Sequence, residues 1–227
     1  MRALLKTVVV VLLLGDLYAQ VAIDSSGIRA TKTVRTMKDL RDARIVRQQW
    51  DMTCGAAALS TLLTYDFKDN TPETAVVVWI LRRTDPVKIQ ARGGFSLLDL
   101  KHFVQFRGYR AEGFIGMSLE ELAALKTPAI VPIRSKGVDH FVIVRGVFGD
   151  RVLVGDPAFG NMTMKINKFQ DVWKQGITFI VHPPDPRMLQ GAGQEKSASL
   201  GLITPETGTV LRSVQQSVPR TPISGPN

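Results

Sequence analysis

The stretch RQQWDMTCGAAALSTLL, residues 47–63, carries a glutamine-bearing loop through a thiol into a run of small, helix-forming residues. Its Cys54 is the only cysteine of the chain. Amides at a helix N-terminus, the positive end of the helix dipole and a neighbouring imidazole all favour a thiolate over a thiol. A cysteine nucleophile needs that setting. A second stretch, VDHFVIVRGVFGDRVLVGDPAFGN, residues 138–161, supplies the partners: His140 begins an apolar strand, and Asp156 ends the next one after a short turn. Antiparallel pairing would bring His140 and Asp156 to one end of a hairpin. Thiol, imidazole and carboxylate in this order are the parts of a thiol-protease triad.

Each residue alone has a plainer explanation. A lone cysteine is commonly a small buried hydrophobe, a lone histidine is commonly structural, and Asp-Pro commonly marks a turn. The joint placement favours the triad, because the cysteine lies where a helix should begin and the other two lie at matched ends of neighbouring strands. The remaining histidines offer no second route: His102 falls inside the helix-like run SLLDLKHFVQF, and His182 stands beside Pro183 and Pro184 as a loop residue.

The elements around these residues follow from local signals. Residues 53–64 read as a central helix, with Thr53 as its cap and Ala56, Ala57 and Ala58 allowing close approach of neighbouring backbone. Residues 71–83 read as a second helix, with Thr71 as N-cap, Pro72 at the first position and Glu73 in the first turn. Ser96 with Asp99 and Ser118 with Glu121 form capping boxes for two more, and Gly108 stops the first of these. Residues 129–134, 141–147, 152–155 and 178–181 read as strands, with a hairpin turn over 148–151. Helices first and an antiparallel sheet afterwards give an α+β fold. The loop QARGGFS, residues 90–96, reads mainly as ordinary turn chemistry before a capped helix, with close approach of a substrate to Gly93 and Gly94 as its functional alternative. Trp50 reads as a core residue or as a wall of a subsite.

The ends set the domain organisation. Residues 1–19, MRALLKTVVVVLLLGDLYA, carry Arg2 and Lys6, then an apolar run, then a small residue at Ala19, which is the pattern of a secretory signal peptide. The run is short of the ~20 apolar residues of a membrane span, so cleavage after Ala19 is expected over retention as an anchor. Residues 20–43 read as an extended N-terminal arm, residues 44–182 as the folded domain, and residues 183–227, rich in Pro, Gly, Ser and Thr, as a disordered tail. Export to the periplasm or beyond leaves a free thiol in an oxidising compartment, where an accessible thiol is readily oxidised, and this favours a thiol that is used. The net charge of +9 is spread along the chain with no basic block and no aromatic platform, so nucleic acid is not an expected partner. No P-loop, dinucleotide fingerprint or metal-ligand cluster is present, so ATP, cofactor and metal are not expected either.

Residues 47–181 resemble the double-glycine leader peptidases, the bacteriocin-processing, papain-like cysteine peptidase family thirty-nine. RQQWDMTCGAAALSTLLTYDF is similar to its glutamine and Cys-Gly-Ala-Ala helix, DHFVIVRGV and VLVGDPAFGN to its histidine strand and Asp-Pro segment, and ARGGFSLLDLKHFVQFRGYRAEGF to a further block of its stand-alone members. Many members carry an acidic residue just before the cysteine, where this chain has Thr53. The resemblance implies Cys54 as nucleophile, His140 as general acid and base, Asp156 as the group orienting the imidazole, and Gln48 as an oxyanion-hole donor. Gln49 is the rival for the last role. It also implies a peptide or protein substrate, either a leader peptide cut after Gly-Gly or a secreted amyloid, and contact with a secretion apparatus. The alternatives are a catalytically silent peptide-binding module and a structural accessory of a secretion system.

Overall fold

The computed structural model describes residues 19–25, 28–34, 36–135 and 137–189, with side chains from residue 36 onward. Of the signal-peptide reading over residues 1–19, residues 1–18 lie outside the described residues, as do residues 190–227 of the tail read over 183–227. The chain divides into two compact units, residues 1–37 and 38–227. In the first, β1 (Ala19–Ser25) and β2 (Ile28–Val34) pair antiparallel, Ala19 opposite Val34 and Ser25 opposite Ile28. The expected extended arm thus contains two paired seven-residue strands, which satisfy each other's backbone groups.

The second unit begins with α1 (Met37–Asp42), which starts at the last residue of the first unit, and continues through α2 (Cys54–Thr61), α3 (Glu73–Leu81), α4 (Pro86–Ala91) and α5 (Leu97–Phe106). A six-stranded antiparallel sheet follows, built from β3 (Arg110–Phe114), β4 (Ala129–Ser135), β5 (Val138–Phe148), β6 (Arg151–Asp156), β7 (Gly160–Lys165) and β8 (Thr178–His182) in the spatial order β3-β8-β4-β5-β6-β7. Two short helices, α6 (Leu119–Ala124) and α7 (Ile166–Val172), interrupt the strands. No helix among the described residues is long and apolar enough to cross a membrane.

Strand alternation gives the sheet two apolar faces. On one, Ile130, Ile143 and Phe179 pack with Leu59, Leu62 and Val76 of the helical half. On the other, Val131, Val142, Val144 and Val154 pack with Leu122 of α6 and Phe169 of α7. The helix carrying the thiol therefore lies directly on the central strands. Its small residues permit the approach: a Cβ added to Gly55 would stand 3.2 Å from the ring of Phe141.

The structure moves several expected boundaries. Regular α-helix ends at Thr61 and passes into a π-helical turn, Leu62–Asp66, which carries Asp66 inward to meet the buried Arg145, both carboxylate oxygens 3.1 Å from Nη1. Arg145 sits where the β5–β6 register shifts, so a bulge aims a guanidinium into the interior where the helix turn supplies its carboxylate. Thr71 does not cap α3. Pro72 is the N-cap, with extended backbone, and the Thr71 amide donates to Thr64 Oγ1 at 3.0 Å. Both serine capping boxes are present as read. His182 closes β8 opposite Arg110 and is no loop residue, and His102 is exposed on α5.

The folded body is also longer than residues 44–182. At one end, Asn161 Nδ2 donates to the carbonyls of Leu40, Arg41 and Ala43 at 3.3, 3.1 and 2.6 Å, which fastens residues 40–43 to the sheet. At the other, a 3₁₀ turn, Pro186–Leu189, brings Met188 and Leu189 against the main core cluster.

Candidate active site

Cys54 is the first residue of α2, so its backbone amide belongs to the unpaired first turn of a helix. Thr53 does not cap that helix with its side chain. Its hydroxyl lies 2.6 Å from Glu73 Oε1 and 2.8 Å from the Trp50 carbonyl, while Glu73 Oε2 accepts the Gln49 amide at 3.1 Å. The buried Glu73 thereby ties together the loop before the thiol and the residue immediately preceding it. Sequence reasoning missed this role. The only signal was an acidic residue in a first helical turn, which the helix dipole alone explains.

The β5–β6 hairpin supplies the partners. His140 Nε2 lies 2.7 Å from Asp156 Oδ1, which leaves Nδ1 as the second ring nitrogen. Asp156 is buried, and the same oxygen accepts the amides of Ala158 at 2.7 Å and Phe159 at 3.1 Å, so the carboxylate is held before it orients the ring. On the other side of His140, the Phe141 amide approaches Cys54 Sγ at 3.5 Å. Burial works against the charged imidazole, but hydrogen bonds to Asp156 and Cys54, with the charges of both, outweigh it and raise the His140 pKa from 6.5 to about 9. The imidazole is thus held protonated through neutral pH.

Gln48 and Gln49 part company. The Gln48 amide N–H donates to the Pro157 carbonyl at 3.0 Å, fixing its backbone to the loop after Asp156. Its side chain lines a pocket together with His140 and Asp156, holding the Trp50 carbonyl only at 3.4 Å, and Oε1 has no partner. Gln49 is exposed, and its backbone serves Glu73. The structure therefore brings Cys54, His140 and Asp156 together, sets the Gln48 side chain beside His140 and Asp156, and leaves the Gln49 side chain outside both pockets.

A cleft of about 450 Å³ opens over the thiol, lined by Cys54, His140, Met52, Phe141 and the Gly93–Gly94 loop. Gly94 has φ +143°, and a Cβ there would stand 2.7 Å from the Met52 carbonyl oxygen, so the loop needs glycine to lie this close. Arg92 braces it: Nε donates to the Gly94 carbonyl at 2.8 Å while Nη2 pairs with Asp99 of the α5 capping box. The glycines read as turn chemistry thus form a wall of the cleft. Trp50, about half exposed, lines an apolar groove beyond Met52 with Val77, Val78 and Leu81 and does not belong to the core.

A thiol on the first turn of a central helix, facing an imidazole–carboxylate pair on an antiparallel sheet, is the arrangement of the papain-like cysteine peptidase fold. The chain belongs to the Peptidase C39 family, whose profile matches residues 42–185. It is 38% identical over 150 residues to the probable functional amyloid protease FapD of Pseudomonas aeruginosa, a match that spans 66% of this chain and 65% of that relative, just under two thirds of its length. Among solved structures, it is similar to a double glycine motif protease from an AMS/PCAT transporter in complex with its leader peptide, with TM-score 0.50 and 26% identity over 61% of this chain and 90% of the other. The peptidase domain of Streptococcus ComA, a bi-functional ABC transporter, shares the fold with TM-score 0.51 and 22% identity over 61% of this chain and 97% of the other.

Proposed function

We propose that this chain is an exported cysteine endopeptidase that cuts a secreted or leader-bearing protein by a Cys54–His140–Asp156 mechanism, with Gln48 as oxyanion donor. The observation that carries the reading is the 2.7 Å contact between His140 Nε2 and Asp156, on a ring whose protonated form is stabilised by both Asp156 and Cys54. Family membership and the relative's name, a probable functional amyloid protease, support both the reaction and the choice of an exported substrate.

The steps follow from the groups present. Sγ of Cys54, as thiolate, attacks the scissile carbonyl, forming a C–S bond and placing negative charge on oxygen. The Cys54 amide and the Gln48 side-chain amide receive that charge, and losing one such donor typically costs about 100-fold or more in rate. The C–N bond then breaks as His140 hands its proton to the departing amine. Water, losing a proton to His140, attacks the thioester, the C–S bond breaks, and the acid product leaves with the thiol restored. Cleavage after Gly-Gly fits the narrow wall at Gly93–Gly94, and a transporter-peptidase neighbour was solved with a leader peptide. The signal-peptide pattern of residues 1–19 supports an exported location, where the chain would be able to meet a secretion apparatus.

The test compares new N-termini in the exported proteome of cells carrying the wild-type chain, Cys54→Ala or Gln48→Ala. Termini that vanish in Cys54→Ala and weaken in Gln48→Ala identify substrates. An unchanged set of termini in Cys54→Ala, with the variant folded, would mean that the chain binds peptides without cutting them.

A further inference from the structure

A second pocket, of about 440 Å³, adjoins the reacting groups, and apart from Gln48, His140 and Asp156 its walls have no role in the mechanism above. It meets the cleft over the thiol at a single residue, His140, which lines both. Strand register explains why. Across β4 and β5, Ile133 pairs with His140 and Ser135 with Val138, whereas Pro132 pairs with Phe141 and Arg134 with Asp139. Paired residues share a face, and successive residues alternate. The thiol cleft is lined from the face of Pro132, Asp139 and Phe141, and the second pocket from the face of Ile133, Ser135, Val138 and His140. On β7, Met162 and Met164 continue that second face, and Phe159 stands at its rim.

The chemistry assigns each pocket to one half of a substrate. An acyl group stays bonded to Sγ after the C–N bond breaks, and Cys54 lines only the first pocket. The leaving half takes its proton from His140, and beyond His140 lies the second pocket, which Gln48 and Asp156 also line. From this geometry, and resting on the peptidase reading, we infer that the second pocket is a leaving-side subsite that seats a bulky apolar side chain from the first two residues after the cleaved bond. Its walls favour such an occupant. Ile133, Val138, Phe159, Met162 and Met164 are apolar, and the two methionines are flexible enough to mould around aliphatic or aromatic shapes. The one carboxylate in the lining, Asp156, is buried, and its Oδ1 already receives His140 and two backbone amides. Val138 and Phe159 are both about two-thirds exposed, so they present open apolar surface beside the reacting atoms.

A proteome-derived peptide library with blocked amines, digested by the full chain and read by mass spectrometry of the new N-termini, tests this directly. Leu, Ile, Met and Phe should be enriched over Gly, Asp and Lys in the first two positions of the new termini, by roughly tenfold, the scale on which an apolar pocket discriminates. Val138→Arg lies at an exposed position and should shift the preference toward Asp and Glu, and Phe159→Ala should flatten it while cleavage persists. Cleavage that depends on Cys54 but shows no leaving-side preference, or a preference unmoved by both variants, would overturn the subsite and leave the peptidase reading intact. A library uncut beyond the level of Cys54→Ala would overturn both.

Discussion

At the scale of single residues, the protonation of His140 governs part of the stability and, in the proposed mechanism, the chemistry. Its pKa is raised from 6.5 to about 9, so the proton that the proposed mechanism hands to the departing amine is present through neutral pH and is lost on the alkaline side. The expected outcome is a kcat/KM that falls as pH rises through about 9. A group whose folded pKa lies above its unfolded value stabilises the fold fully below the unfolded value and loses that contribution through the folded one. The stabilisation from His140 should therefore be complete below pH 6.5 and gone above about 9. In Cys54→Ala, a nuclear magnetic resonance titration of the imidazole should give a lower pKa than wild type, because one hydrogen bond and one charge are removed while Asp156 remains. An unchanged titration would mean that thiol and imidazole do not interact. This pair was legible in the sequence because chain order alone sets it: a hairpin with a tight turn must bring the start of one strand to the end of the next. Spacing favours Gln48 over Gln49, since Gln48 stands six residues before Cys54, but spacing does not hold a loop residue in place. The Gln48 backbone is fixed by the Pro157 carbonyl, a contact between segments more than a hundred residues apart that the sequence does not display.

At the scale of elements, the junction of α2 and α3 holds the site in shape through a buried carboxyl group. Glu73 opens α3, yet both its oxygens face the loop that leads to the thiol, one accepting Thr53 and the other the Gln49 amide. Where many relatives of the family carry an acid just before the cysteine, this chain has a hydroxyl that borrows its acid from the next helix. Glu73→Ala should cost about 1–3 kcal/mol, the scale of stranding buried donors. It should also lower kcat beyond any loss of folded protein, since Gln48 and Cys54 flank the freed segment. A double-mutant cycle with Thr53→Val measures the link, with an expected coupling of about 0.5–3 kcal/mol, and additive losses would show that the two residues act apart. Within residues 44–182, the regular helices and strands that sequence reading missed share one physical trait. The edge strands β3 and β7 and the helices α4 and α7 bury few residues: Ala111 alone in β3, Ile89 alone in α4 and Phe169 alone in α7. An element that buries one side chain leaves no periodicity to read. The central strands and α5, buried along a full face or closed by a capping box, announced themselves.

At the scale of the whole molecule, the question is where the cooperative unit ends. Composition placed the boundary at residue 182, because the stretch beyond it is rich in Pro and Gly. Burial extends it: the 3₁₀ turn Pro186–Leu189 returns Met188 and Leu189 to the core that holds α2, α3 and the helix side of the sheet. Two apolar residues after a proline-rich segment carry too little pattern to stand out in a sequence, yet partial burial of two such side chains contributes about 1–3 kcal/mol. A chain ending at Leu189 should therefore melt like the full-length protein. One ending at Asp185 should melt lower by several degrees, since each kcal/mol moves the midpoint of a domain this size by about 2–4 °C. Because the helix that bears Cys54 packs in the same core cluster, the shorter chain should also cleave peptides more slowly near its lowered midpoint while matching the longer one in the cold. Thermal scans and peptide hydrolysis on the two truncations decide the matter. Equal melting of both would remove Met188 and Leu189 from the stabilising core, and loss of the folded state in the chain ending at Leu189 would mean that residues beyond 189 complete it.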